Sequence, residues 1–310
     1  FQGFTGAALA QPVNANDALL FVQARGARVR ELAYDPSGSG YRPTVVDVSI
    51  LAPHLFKGFD VTRLVFTASP EPVVWALRSD GVLLSMTYVP EQQVFAWAQH
   101  TTNGTIEDIA VVSSSARDEL YLCVRRLTSS GAGGTHRYLE KYAARDTSAV
   151  FMDSYLTVTA SGTTLRGLRH LANLDVQILA GGASFTGTVN SAGELTLPPG
   201  VSGAIAVGLQ YTSLLEMLPI AMEAEAFGQG RQKNPSKAYL RLPETTDIEV
   251  GPSLDLLVQS STLNFDGEEQ DVVEIPTLPK WSSNGGLFIR QQLPLPATVA
   301  AFALDFAVGG

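Results

Sequence analysis

The side chains best suited to acid–base or metal chemistry are four histidines, His54, His100, His136 and His170. None of them stands at a spacing typical of metal ligands, such as positions i and i+4 on one helix face. Each is therefore expected to be an ordinary surface or turn histidine, and the sequence predicts no metal site.

A cluster of carboxylates is the second candidate, and it lies in the segment Asp266-Gly-Glu-Glu-Gln-Asp271. Carboxylate oxygens are ligands for calcium, but a twelve-residue calcium loop needs them at fixed alternate positions that this segment does not match. We interpret the segment as the centre of a long, solvated acidic loop between Glu244 and Glu274.

Catalytic and cofactor motifs are incomplete. Gly200-Val-Ser-Gly-Ala204 has only half of a nucleophile elbow, since the last glycine and the following helix are missing. Gly228-Gln-Gly230 lacks the rest of a dinucleotide-binding motif and its βαβ unit. The sequence therefore predicts no cofactor and no enzyme. A hydrolase with two carboxylates facing one cleft stays an alternative, because their separation is a three-dimensional property.

Tryptophans offer another kind of chemistry, the stacking of sugar rings. Trp75 and Trp97 lie inside predicted strands, where an aromatic core between packed sheets is the simpler interpretation. The alternative is a carbohydrate- or receptor-binding β protein, in which Trp75, Trp97 or Trp281 would line an exposed groove.

Composition narrows the class of function. The chain has 310 residues, a net charge of −9, 45% hydrophobic residues and 16% charged residues. This net charge argues against binding of a phosphate backbone as the main activity, although DNA could pass an acidic surface without adhering. Cys123 is the single cysteine, so no internal disulfide forms, and its apolar strand predicts an inert core residue. The longest apolar tract, near Leu295 to Val308, is too short to cross a bilayer, so no membrane insertion is expected.

Short strands separated by tight turns must position these side chains. Four strands are predicted at 61–67, 73–78, 82–89 and 93–100, and at least three more between Ile106 and Tyr142. Asp80-Gly81 predicts a hairpin in which both turn positions have positive φ, and Asn103-Gly104 repeats the pattern. The spacing is that of β-propeller blades, with these turn residues and Trp75, Tyr88 and Trp97 as the structural positions of the blades.

The predicted fold class is all-β, with propeller-like blades followed by a small β-barrel or β-sandwich region. Residues 1–16 are expected to form an N-terminal arm, 17–150 a partial propeller of two to three blades, and 151–310 the barrel or sandwich with the acidic loop. Closed propellers have 4–8 blades, and an open arc leaves sheet edges that proteins normally cover or pair. The sequence thus favours assembly over catalysis.

Two motifs carry a resemblance to a known family. Val73-Val-Trp-Ala-Leu-Arg-Ser-Asp-Gly81 and the stretch from Thr87 to His100 resemble the podovirus and prophage tail nozzle proteins, which are similar to tail tubular protein B. The resemblance extends to Asn16–Tyr34, Leu51–Phe56, Arg137–Lys141, Gly167–Leu171, Val207–Ser213 and Ile289–Pro296. It therefore covers nearly the whole chain, although family members are longer at the N-terminus.

The resemblance implies a structural function in the virion tail, with the host cytoplasm as the place of assembly. Nozzle proteins form a homo-oligomeric ring, usually of six copies, at the distal end of a short tail. The ring docks on the tail adaptor and surrounds the channel through which DNA passes without specific binding. Host-surface contact is a further possibility, and the family offers no catalytic residues.

Overall fold

The computed structural model describes residues 6–35, 42–127, 135–143, 150–220, 231–259 and 272–309. Strands account for 53% of the structure and helix for 4%, so the predicted all-β class is confirmed. The chain divides into two compact units, Phe1–Tyr142 and Ala143–Gly310.

The first unit contains three antiparallel sheets, and each joins strands that are consecutive in the chain. The first sheet comprises β1 (Val13–Ala15), β2 (Ala18–Val22), β3 (Val29–Asp35) and β4 (Arg42–Asp47). The second comprises β5 (Val61–Thr67), β6 (Val73–Arg78), β7 (Leu83–Val89) and β8 (Val94–His100). The third comprises β9 (Thr105–Ser113), β10 (Asp118–Leu127) and β11 (Thr135–Lys141).

The strands of the second sheet start within one residue of the predicted positions. The segment 1–16, predicted as an arm, behaves differently at its end: Val13–Ala15 pairs with β2 as an edge strand of the first sheet. Ala7 forms a further isolated bridge to Gln23. Backbone pairing in this region satisfies N–H and C=O groups that would have to bond to water in an extended arm.

The hairpin between β6 and β7 differs from the predicted one. Gly81 has φ +84°, whereas Asp80 keeps a negative φ. Gly81 donates its N–H to the Arg78 carbonyl at 3.0 Å, and the Arg78 N–H bonds to the Val82 carbonyl at 3.0 Å. The turn is therefore a three-residue loop with one left-handed glycine, which is the next most common class of hairpin connection.

Asn103-Gly104 does not form a hairpin, and that prediction is wrong. β8 pairs with β7 and β9 pairs with β10, so Asn103-Gly104 connects the second sheet to the third. Gly104 is required by close approach, since an added Cβ would lie 2.8 Å from the Arg125 carbonyl oxygen. The chain does turn at Asn103-Gly104, as the sequence predicts. A turn, however, does not determine whether the strands on either side of it pair with each other.

The second sheet is buried on both faces, and all six residues of β6 are buried. One face contributes Val74 and Met86 to a core shared with the first sheet. The other contributes Trp75 and Leu83 to a core shared with the third sheet. Because alternate side chains of a strand point to opposite faces, the three sheets form a stack with the second sheet in the middle.

Two contacts hold the third sheet at opposite ends of the second. At one end, Ile106 donates its N–H to the Gly81 carbonyl at 3.2 Å. At the other, the Asp118 carboxylate accepts N–H bonds from Ala68 at 2.7 Å and Ser69 at 3.2 Å. The Asp118 N–H in turn donates to the Ser69 carbonyl at 3.0 Å.

The second unit combines local hairpins with pairs of strands that are distant in the chain. One sheet has the order β12 (Asp153–Ala160), β17 (Gly203–Leu209), β14 (Asp175–Ala180) and β15 (Ala183–Thr188). A small sheet joins β13 (Thr164–Leu165) and β16 (Leu195–Thr196). Another has the order β18 (Ser213–Glu216), β23 (Phe288–Gln291), β20 (Glu249–Gly251) and β21 (Val258–Gln259). The last has the order β22 (Val273–Pro276), β19 (Lys233–Arg241) and β24 (Ala301–Val308).

Two separate cores lie in the second unit. One is built around Leu171, Ile178 and Val207, and the other around Leu240 and Ile289. No sheet closes into a barrel among the described residues, so the barrel alternative is wrong and packed open sheets fit better.

The predicted acidic loop is partly structured, because β20 and β21 lie within the stretch from Glu244 to Glu274. Its centre, Asp266–Asp271, falls outside the described residues.

Helix is confined to short segments. The one α-helix of the described ranges, α1 (Pro53–Phe56), buries Leu55 and Phe56 against the core between the first two sheets. Pro53 begins it, as expected of a residue with a fixed φ and no N–H to satisfy. Within the described part of the chain, no helix has the length and apolar character needed to span a bilayer.

Candidate functional site: the stacked sheets and their exposed faces

Trp75 lies in the core between the second and third sheets and is 4% exposed. Its indole N–H donates to the Thr67 hydroxyl at 3.1 Å, and its ring lies 4.9 Å from the Tyr142 ring. A large aromatic side chain with its polar atom satisfied is suited to packing. The burial removes Trp75 from any sugar-binding surface.

Trp97 and Tyr88 serve the opposite face of the second sheet. The Trp97 indole donates to the Val48 carbonyl at 2.9 Å, and its ring meets Phe56 edge to face at 4.9 Å. Tyr88 is 1% exposed and donates its hydroxyl to Glu31 of the first sheet at 3.0 Å. Burial, together with the neighbouring Glu31 carboxylate, raises the pKa of Tyr88. Both aromatics thus link the first two sheets.

Asp80 does more than shape its turn, because it neutralises a buried cation. Arg78 is 7% exposed, and its guanidinium donates to the Asp80 carboxylate at 3.0 and 2.5 Å. A third N–H reaches the Leu55 carbonyl at 2.9 Å, and the guanidinium lies 3.7 Å from the centre of the Phe59 ring. The Arg78 hydrogen bonds hold the pKa of Asp80 below its usual range. A buried charge that is paired and hydrogen-bonded is tolerated where an unpaired one is not.

Arg126 plays a comparable part at Asn103. It is 3% exposed and binds both oxygens of Glu140 at 2.6 Å. It also donates to the Thr102 hydroxyl at 2.9 Å and the Asn103 carbonyl at 2.7 Å. The connection between the second and third sheets is therefore fastened to β10 by one guanidinium.

Within the described residues, no group of three or more His, Cys, Asp or Glu side chains could hold a metal ion. His54 and His136 are exposed. His100 is half-buried, with Nε2 at 2.8 Å from the Ser85 hydroxyl and Nδ1 at 3.4 Å from the Tyr142 hydroxyl. Ser85 is 5% exposed and sits in the middle of β7, where the strand ladders occupy the backbone N–H groups that an oxyanion hole would need.

The outer face of the third sheet is the largest difference from the sequence analysis. Cys123 was expected in the core, but it is half-buried on the face opposite Leu120, Leu122 and Val124. Its cross-strand neighbour Leu139 is 77% exposed. Val112 and Leu127, at 53% and 71% exposed, lie on the same face. We call these four residues the outer patch.

Ion pairs lie among the residues of the outer patch, because Arg125 and Arg137 stand between Leu127 and the Cys123–Leu139 pair on the same face. The Glu107 carboxylate binds Arg125 at 3.0 Å and Arg137 at 2.5 Å, and Glu119 binds Lys141 at 2.5 Å. The Arg137 hydrogen bond lowers the pKa of Glu107, and the Lys141 hydrogen bond lowers that of Glu119. A face that mixes exposed apolar side chains with fixed charges of both signs has the mixed character of many protein interfaces. Sequence reasoning missed it, although the adjacent apolar pair Tyr138-Leu139 signals a strand that is apolar on both faces.

The sequence has two basic spots, Arg25 with Arg28 and Arg30, and Arg231 with Lys233, which on sequence alone are either ordinary solvated charges or an interface with an acidic partner. Arg28 pairs with Asp47 at 2.7 Å, and Arg30 donates to Gln23 at 2.9 Å. Lys233 is not a surface charge, since it is 1% exposed. Its ammonium donates to the Ser283 carbonyl at 2.9 Å.

The sugar-binding alternative now depends on one tryptophan. Trp281 is 51% exposed, whereas Trp75 is buried and Trp97 has its indole N–H engaged. A single exposed ring is not the groove of aromatics that this alternative requires.

Comparison with known proteins adds no assignment. No model of a known protein family matches the chain, and no curated protein matches it either.

Proposed function

We propose that this protein is a structural component of a short phage tail, a nozzle-like ring protein that acts by assembly and not by catalysis. The resemblance in Val73–Gly81 and Thr87–His100 supplies the family. The structural support is the three-sheet stack of the first unit, which ends in the exposed outer patch. When sheets pack face to face, the last sheet of the stack leaves one face uncovered. Such a face is suited to contact with another chain.

The tight packing of the stack also favours a scaffold. Several polar and aromatic side chains of the first unit serve its own packing: Arg78 and Arg126 bind carboxylates, and Trp75 fills the inter-sheet core. A net charge of −9 suits a channel wall that DNA passes, because like charge disfavours adhesion to phosphates.

The test is the oligomeric state of the intact protein, alone and with its tail adaptor. We expect rings with cyclic symmetry in electron micrographs and a matching mass in light scattering. Leu139→Glu, which places a charge in the outer patch, should weaken assembly at least tenfold, because a carboxylate that must be desolvated replaces an apolar contact.

Leu254→Glu is the matched control, since Leu254 is 46% exposed in the second unit, and it should assemble like the unmodified protein. Monomers of the intact protein at high concentration, with and without the adaptor, would contradict the proposal. Rings that are insensitive to Leu139→Glu would move the interface away from the outer patch.

A further inference from the structure

The strand β24 leaves one edge unpaired in the described part of the chain. It runs for eight residues, Ala301–Val308, and there it pairs with β19 alone. An unpaired edge presents a row of N–H and C=O groups that can accept another strand.

The usual protections of an edge strand are scarce here. Among the eight residues, seven are apolar and Asp305 is the single charge, without a lysine or a proline. The register with β19 shows no bulge on the β24 side that would twist the edge away from a partner. Natural proteins normally use such features to keep long apolar edge strands from pairing with other chains. This edge lacks them and is therefore suited to pairing.

The apolar face of β24 extends beyond its own core. Leu304 packs against the core that contains Ala238 and Leu240. On the same face, Phe302 stays 41% exposed and Val308 37% exposed. An added strand would cover these two side chains.

The sequence of the strand identifies the occupant. Ala301-Phe-Ala-Leu-Asp-Phe-Ala307 reads almost the same in both directions, with Leu304 at its centre. We propose that β24 pairs antiparallel with β24 of a second copy of this chain about a two-fold axis at Leu304. Each Phe302 then lies opposite Phe306 of the other copy, and each Ala301 opposite Ala307. A two-fold contact requires a self-complementary surface of this kind.

Charge is compatible with this pairing. Asp305 lies opposite Ala303 of the second copy, so no like charges face each other directly. Within its own sheet, the Asp305 carboxylate accepts the Tyr239 hydroxyl at 3.2 Å and lies opposite Lys237. The carboxylate therefore needs no partner from the second copy.

This contact is independent of the proposed ring. A ring grows through head-to-tail contacts between different surfaces, whereas a two-fold contact closes on itself after two copies. Either proposal can fail without the other.

The test places charges at Ala301 and Ala307, both exposed and on the face opposite Leu304. Ala301→Glu with Ala307→Glu sets Glu opposite Glu twice across the two-fold axis. Ala301→Glu with Ala307→Lys sets Glu opposite Lys twice. Directly opposed pairs contribute enough that the first variant should dimerise about tenfold more weakly than the unmodified chain, and the second should recover.

Sedimentation over a range of concentrations gives the dimer constants, and thermal unfolding checks that both variants fold. A concentration-dependent dimer that the first variant loses and the second regains supports the contact and its register. A chain that stays monomeric at its highest soluble concentration overturns it. So does an oligomer that both variants leave unchanged, because that oligomer uses another surface.

Discussion

The two units build β-sheets in opposite ways. In the first unit, every sheet joins strands in chain order, so turns and pairing are local. In the second unit, β12 pairs with β17 and β19 pairs with β24, across long stretches of chain. The first unit therefore depends on pairing at short sequence separation, whereas the second also needs contacts between distant segments, which form more slowly.

The stacked cores of the first unit should be the most sensitive to truncation. Trp75→Ala removes the largest side chain between the second and third sheets, and we expect a loss of about 3–5 kcal/mol in the free energy of unfolding. Hydrogen exchange measured by mass spectrometry reads the two units separately. Peptides of the first unit should exchange faster, while those of the second unit stay unchanged.

Trp281→Ala is the control in the second unit. Because Trp281 is 51% exposed, its removal should cost well below about 1 kcal/mol. An equal loss for both variants would show that the inter-sheet core is not the main support of the first unit.

Replacing a buried cation should also have different effects on stability in the two units. Arg126→Met removes the two-pronged partner of Glu140 and leaves the Asn103 carbonyl without its donor, so we expect a cost of about 3 kcal/mol. Lys233→Met removes an ammonium that donates to the carbonyls of Ser283 and Arg231, and replaces it with an apolar chain of similar size. Its cost should be smaller, about 1–2 kcal/mol, because neutral carbonyls and no carboxylate lose their donor. Urea unfolding of both variants measures the two losses in stability. A larger loss for Lys233→Met than for Arg126→Met would contradict the prediction.

Glycine turns should show the same contrast on a smaller scale. At Gly81, an added Cβ would meet the Thr105 side chain at 2.3 Å, in addition to φ +84°. Gly182, in the β14–β15 turn, has φ +82° and open space around it. Gly81→Ala should therefore cost about 2 kcal/mol or more, and Gly182→Ala about 1 kcal/mol. Equal thermal shifts for the two would show that backbone strain alone decides the effect.

Acid should weaken the first unit gradually. Arg78 lowers the pKa of Asp80 and Lys141 lowers that of Glu119. Because the folded pKa lies below the unfolded one, each group stabilises the fold fully above about pH 4.5 and loses this effect as pH falls through the lowered value. Asp80→Asn should make the decline shallower in urea titrations at successive pH values. Asp255→Asn, at an exposed position of the second unit, should leave it unchanged.

The sequence predicted much of the strand pairing in the first unit but not the distant strand pairing in the second, for a physical reason. Hairpin strands such as β6 and β7 are specified by their apolar, β-branched and aromatic residues and by the turn at Gly81. Asn103-Gly104 misled because a turn residue reports local backbone conformation and not the identity of the paired strand. In the second unit, β12 and β17 are separated by more than forty residues, so neither contains the signal of its partner.

Exposure was the harder quantity to anticipate. Lys233 is a charged residue on a strand, yet it is 1% exposed and its backbone bridges to Ser282. Leu139 is apolar, yet it faces outward because β11 follows the register of β10. Burial depends on which element covers a face, and that information comes from distant parts of the chain.

The hydrogen bonds to the Asp118 carboxylate make two amides next to the second sheet sensitive to the position of the third sheet. The Ala68 and Ser69 amides belong to the connection between β5 and β6, but their acceptor stands on β10. Their protons are shielded only while the third sheet stays docked. Deuterium uptake at these two amides therefore measures how fast the third sheet separates from the second. It does so before the first and second sheets begin to unfold.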